Sequence, residues 1–84
     1  MLKLIINTKL THDVYELTFS SEKALSPKPG QFVLLTLPSG LKRAYSIAYS
    51  QNDKIVLIVK RLENGLGGSR ELCDLAVGLE LAFL

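Results

Sequence analysis

The sequence predicts a mostly β domain: a six-stranded antiparallel Greek-key barrel with one short helix before the last strand. Short runs of strand-forming residues recur along the chain, separated by polar, glycine- or proline-bearing turns. A single stretch, following a glycine cluster, has helical spacing. Six strands with exposed edges would invite edge-to-edge pairing, which closure into a barrel removes.

Each element follows from its residues. Leu2, Leu4, Ile6 and Thr8 alternate with Lys3, Ile5, Asn7 and Lys9, a period-two pattern that predicts the first strand. Thr11, His12 and Asp13 make a polar turn. Tyr15, Leu17 and Phe19 share one face of the second strand, with Val14, Glu16 and Thr18 on the other. Residues 20–30 form a connecting loop, stiffened at its end by Pro27 and Pro29 before Gly30. Residues 31–37 are almost wholly apolar, which predicts a third strand buried on both sides. Residues 43–48 make the fourth strand and residues 55–62 the fifth. Residues 64–68 contain three glycines and suit neither regular element. Residues 69–75 read as a short helix with Ser69 as N-cap and Leu72 and Leu75 on one face. Gly78 turns the chain into a sixth strand over 79–84.

Composition bounds the function. An 84-residue chain is one domain, residues 1–84. Its 48% hydrophobic content supports a packed core. No apolar run approaches the roughly 20 residues that span a bilayer, and the N-terminus is too polar for a signal peptide. Net charge is +2, too mild to point to nucleic acid. Cys73 is the only cysteine, which excludes an internal disulfide and a cysteine-rich metal site. A cytoplasmic location is the default expectation, with no membrane and no nucleic-acid partner.

Chemistry concentrates in two stretches. The first is Arg43-Ala44-Tyr45-Ser46. Arginine offers a planar fork of donors suited to phosphate oxygens. Tyrosine supplies a flat face for a planar ring, and serine a hydroxyl for a ring nitrogen or carbonyl. The plainer reading is a solvated strand-end charge, a barrel residue and a neutral serine. The second is Asn64-Gly65-Leu66-Gly67-Gly68-Ser69, which leads into the helix. Glycines admit close approach of an anion to backbone N–H groups, and a helix start adds oriented donors. No lysine stands in the Walker position. Glu71 tempers this reading: a first-turn carboxylate also satisfies the helix dipole, and one pointing inward would repel phosphate.

The order of these motifs resembles the flavin-binding barrel of the ferredoxin–NADP reductase superfamily. Pro29-Gly30-Gln31-Phe32-Val33 is similar to the start of that family's third strand, and Arg43-Ala44-Tyr45-Ser46-Ile47-Ala48 to its RxYS strand. Val59-Lys60-Arg61 followed by Asn64-Gly65-Leu66-Gly67-Gly68-Ser69 resembles the phthalate dioxygenase reductase-like branch, and Leu75-Ala76-Val77-Gly78 the turn before the last strand. The resemblance implies that Arg43 binds flavin phosphate. Tyr45 would pack against the flavin, and Ser46 would hydrogen-bond near its N5 and O4 edge. Val59 and Lys60 would give backbone contacts, and Gly67, Gly68 and Ser69 would hold phosphate. It implies FAD or FMN as cofactor and no catalytic side chain, because the cofactor carries the chemistry. NAD(P)H would serve as co-substrate only with a separate nicotinamide-nucleotide-binding domain or subunit, and an iron–sulfur or haem centre would accept electrons. Leu66 departs from an arginine in that loop, and Leu79 from an acidic residue. No GxGxxG fingerprint is present, so these residues alone are expected to show little NAD(P)H-dependent activity. A different class of function is a small β-barrel module that binds protein or RNA without a cofactor. The few aromatics and the lack of a basic stripe count against RNA.

Overall fold

Seven strands and one helix make up the computed structural model, which describes residues 1–22, 31–63 and 67–84. In chain order they are β1 (Leu2–Lys9), β2 (Val14–Ser21), β3 (Phe32–Thr36), β4 (Lys42–Ser46), β5 (Tyr49–Gln51), β6 (Lys54–Lys60), α1 (Gly68–Cys73) and β7 (Glu80–Phe83). The strands form one antiparallel sheet in the order β4-β3-β7-β1-β2-β6-β5. Within it β7-β1-β2-β6 has the Greek-key order, with the β3–β5 segment inserted between β2 and β6. The expected stiff turn at 26–30 and Leu66 lie outside the described residues.

The predicted all-β antiparallel class holds, with seven strands in place of six. The difference arises where one predicted strand, residues 43–48, serves two neighbours. The Ile47 N–H donates to the Gln31 carbonyl at 2.8 Å, on the β3 side. The next amide, Ala48 N–H, donates to the Val56 carbonyl of β6 at 2.9 Å. A strand that changes partner must bend at the switch. The chain thus passes from one edge of the sheet to the other within two residues, and the sheet rolls up around that corner. No ladder joins β4 to β6 among the described residues, so the barrel stays open along this seam.

The core fills the inside of the roll. Leu4 on β1, Phe19 on β2 and Ile55 on β6 stand opposite one another, and Leu17 stands opposite Leu57; all five are fully enclosed. Such cross-strand pairs fix the register. One expectation fails here for a physical reason. The third strand is buried on one side only: Val33 and Leu35 are buried, while Phe32 on the outer face is 68% exposed. The first strand does not keep one face, because its register against β2 shifts between Leu4 and Ile6. Beyond this bulge Ile6 and Thr8 turn outward, and Asn7 turns toward α1. Its Nδ2 donates to the Cys73 carbonyl at 3.0 Å and to the Leu75 carbonyl at 3.4 Å. These are carbonyls at the end of α1, where the helix leaves acceptors unsatisfied. No helix among the described residues is long and apolar enough to cross a membrane.

Candidate functional site

The open seam carries the features that can hold a ligand. In an antiparallel strand the N–H and C=O of one residue point to the same side, and the side alternates along the chain. Ile47 faces β3, so Arg43 and Tyr45 direct their backbone groups to β3 as well. Ala44 and Ser46 direct theirs into the seam. On β6, Val56 faces away from β2, so Ile58 and Lys60 do too. Beyond the Tyr49–Val56 pair no strand covers that edge among the described residues. Two rows of backbone donors and acceptors therefore face each other across a gap that closes at Ala48–Val56.

Side chains on β4 divide by face. Arg43 and Tyr45 are half-buried on one side; Ala44 and Ser46 are exposed on the other. Tyr45 packs against the core cluster. Burial raises its phenol pKa; Cys73 and Glu71 also raise it, and Arg43 lowers it. Ser46 stands opposite the exposed Phe32. The structure thus brings Arg43 and Tyr45 together and places Ser46 around the edge of the same strand.

Arg43 lies across the start of α1. A Cβ built on Gly68 would come 2.8 Å from Arg43 Cγ, 3.0 Å from Nε and 3.3 Å from Cδ. Only a residue without Cβ lets the arginine stem rest there. One guanidinium nitrogen, Nη1, donates to the Lys42 carbonyl at 2.8 Å, and Arg43 has no carboxylate partner among the described residues. The N-cap of α1 is Gly67 at φ 97°, with no side-chain cap. This corrects the expected Ser69 N-cap. The chain enters the helix through a left-handed conformation that favours glycine. Ser69 is inside the helix, and its hydroxyl accepts the Leu62 N–H at 2.9 Å. The first amides of α1 precede any intrahelical acceptor. The Glu71 carboxylate is held on the turn between β3 and β4, where it accepts the Ser39 N–H at 2.8 Å and the Ser39 hydroxyl.

Other expected residues take quieter places. The Val59 side chain is in the core and its backbone faces β2, opposite Tyr15. Lys60 is exposed, with Nζ 3.8 Å from Asp13 Oδ2. Ile58, whose backbone faces the seam, was not singled out in the sequence; only the strand parity identifies it. Arg61 ties the end of β6 to α1, with Nη2 3.0 Å from Asp74 Oδ2 and Nη1 bonded to Glu63. His12 is exposed beside Asp13. No cluster of metal-binding side chains occurs among the described residues.

Cys73 is buried. Burial pushes its thiol up to about 11, with Asp74 adding to the rise and Arg61 opposing it. The thiolate is the reactive form. The native protein is therefore expected to react with a disulfide reagent at neutral pH far more slowly than the urea-unfolded chain. The raised value favours the protonated thiol in the folded state. That contribution is whole below the ordinary value of 9.0 and is lost as pH rises through about 11, so stability declines across this window. Equal labelling rates for native and unfolded protein would contradict the burial.

The fold recurs in solved structures. The chain is similar to a phthalate dioxygenase reductase described as a modular structure for electron transfer from pyridine nucleotides to [2Fe-2S]. The match has 26% identity and a TM-score of 0.88, and covers 98% of this chain and 27% of that one. It is similar to the ferredoxin reductase in carbazole 1,9a-dioxygenase, at 30% identity and TM-score 0.85, over 98% of this chain and 26% of that one. A cytochrome P450 reductase from Amycolatopsis shares the fold at 23% identity and TM-score 0.85, over 98% of this chain and 26% of that one. The chain thus spans about a quarter of the length of these proteins. No curated protein matches it in sequence. The model of the oxidoreductase FAD-binding domain matches residues 1–83, and the chain belongs to that family.

Proposed function

We propose that this chain holds a flavin along the seam between β4 and β6, as the flavin-binding part of an NAD(P)H-dependent electron-transfer reductase. One observation carries the reading. Arg43 is half-buried, lacks a carboxylate partner among the described residues, and lies on Gly68 at an uncapped helix start. A guanidinium in that state suits a phosphate. The ligand fits the groups present. Arg43 would bind phosphate, with Gly67, Gly68 and Ser69 beside it. Tyr45 and Ser46 would flank the ring, and the seam-facing backbone groups of Ile58 and Lys60 would meet its polar edge. Glu71 is held on Ser39, which directs its carboxylate to the β3–β4 turn.

The bound flavin would supply hydride and single-electron exchange. The protein's part is to orient it and to neutralise its phosphate. FAD is the cofactor that the family's name favours, with FMN the alternative raised by the phthalate-type loop. The proposed partners are a nicotinamide-nucleotide-binding domain or subunit, and an iron–sulfur or haem acceptor. Relatives named as reductases support that kind of partner.

The test is direct. The purified chain is mixed with FAD or FMN, free flavin is removed, and the visible spectrum is recorded. Retained flavin absorbance is expected, and Arg43→Ala should weaken binding by about ten- to a hundredfold. That factor follows from about 1.5–3 kcal/mol for a hydrogen bond to a charged group. A chain that stays colourless with both flavins would overturn the reading.

A further inference from the structure

Glu71 is a carboxylate placed where a phosphate-binding site can least tolerate one. It follows Gly68 by three residues, so both lie on one face of α1, with side-chain origins about 5–6 Å apart. Gly68 is the residue under the Arg43 stem. The Tyr45 phenol registers both charges in addition to its burial. Left to itself, a carboxylate on this face would pair with Arg43. Pairing would occupy the guanidinium donors and set a negative charge against an incoming phosphate.

Glu71 is instead held by Ser39, whose backbone N–H donates at 2.8 Å to Oε2 and whose hydroxyl donates to Oε1. The turn that presents Ser39 is itself fixed. The Leu37 N–H donates to the Leu41 carbonyl and the Gly40 N–H to the Leu37 carbonyl, each at 2.8 Å. Both carboxylate oxygens are therefore directed to the β3–β4 turn. We propose that Ser39 is a positioning residue for phosphate binding: it keeps Glu71 on the turn and leaves Arg43 unpaired for the flavin phosphate. This rests on the flavin reading and adds to it the residue pair that sets the strength of the phosphate grip.

Riboflavin and FMN differ only in the phosphate, so the ratio of their dissociation constants isolates this grip. The ratio is measured by fluorescence titration for the unaltered chain, Ser39→Ala and Ser39→Ala/Glu71→Gln. Ser39→Ala removes the hydroxyl bond to Oε1 and keeps the backbone bond to Oε2, so Glu71 is released only in part. The preference for FMN is expected to fall by up to about three- to fivefold, the ceiling set by an ion pair worth up to about 1 kcal/mol. Riboflavin affinity should not change. Adding Glu71→Gln should restore the preference, because an uncharged amide does not compete as an anion. A turn that merely loosened would weaken both ligands alike and would not be rescued by glutamine. An unmoved ratio in Ser39→Ala, or no recovery in the double variant, overturns the inference while leaving the flavin reading intact. An unaltered chain that binds FMN no better than riboflavin overturns the Arg43 assignment, and this inference with it. Absence of binding to either compound and to FAD overturns the flavin reading itself.

Discussion

Gly68→Ala is expected to weaken flavin binding as much as Arg43→Ala does, by about ten- to a hundredfold, while the domain stays folded. The reason is the space that the missing Cβ leaves. A methyl group there would lie 2.8 Å from Arg43 Cγ, closer than real carbon contacts allow. The backbone of α1 is fixed by its packing, whereas the arginine stem can rotate, so the stem gives way. The guanidinium then leaves the helix start. Stability should change little, because the close contact is relieved within the arginine side chain and alanine is a better helix former than glycine. The distinguishing measurement is a double-variant cycle with FMN. Gly68→Ala/Arg43→Ala should bind no more weakly than either single variant, since both remove the same grip. Additive losses would mean that Gly68 contributes through its own backbone and that its contact with Arg43 is incidental.

That contact separates what the sequence could show from what it could not. The RAYS and GGS motifs are local, and each could be read for its chemistry where it stands. Their meeting depends on β4 lying against α1, some two dozen residues away, and no spacing rule supplies that. The N-cap misled for a related reason. Serine is the favoured N-cap side chain, yet Gly67 makes the left-handed entry and the Ser69 hydroxyl is taken by Leu62. The bulge in β1 left no trace in the alternation of Leu2, Leu4, Ile6 and Thr8. It follows Leu4, which is engaged from both sides. Leu4 pairs with Phe19 on β2, while its own N–H donates to the Leu79 carbonyl and its carbonyl accepts the Gly78 N–H. The apolar run of β3 could not reveal its exposed outer face, because composition alone does not say how many sides of a strand are covered. The strands themselves were legible because turn residues punctuate them. The seam was not, because it depends on which edge each strand leaves unpaired.

Leu72→Ala should have the largest effect on stability, about 2–5 kcal/mol. An 84-residue domain has a total stability of roughly 4–13 kcal/mol, so this one truncation removes a large share of it. A six-residue helix is far too short to form unaided. It exists here because Leu72 is fully enclosed, Cys73 and Gly68 are buried beside it, and Asn7 meets the carbonyls at its end. Urea unfolding followed by circular dichroism checks the prediction. If α1 docks as part of one cooperative unit, the midpoint should fall with the slope unchanged. A reduced slope would instead mean that the helix detaches while the sheet persists. Addition of FMN then tests the link to function. A ligand that binds only the folded state stabilises it in proportion to its excess over the dissociation constant. FMN should therefore raise the midpoint of Leu72→Ala. It should raise that of Leu72→Ala/Gly68→Ala much less, because the second change removes the grip that the docked helix exists to complete.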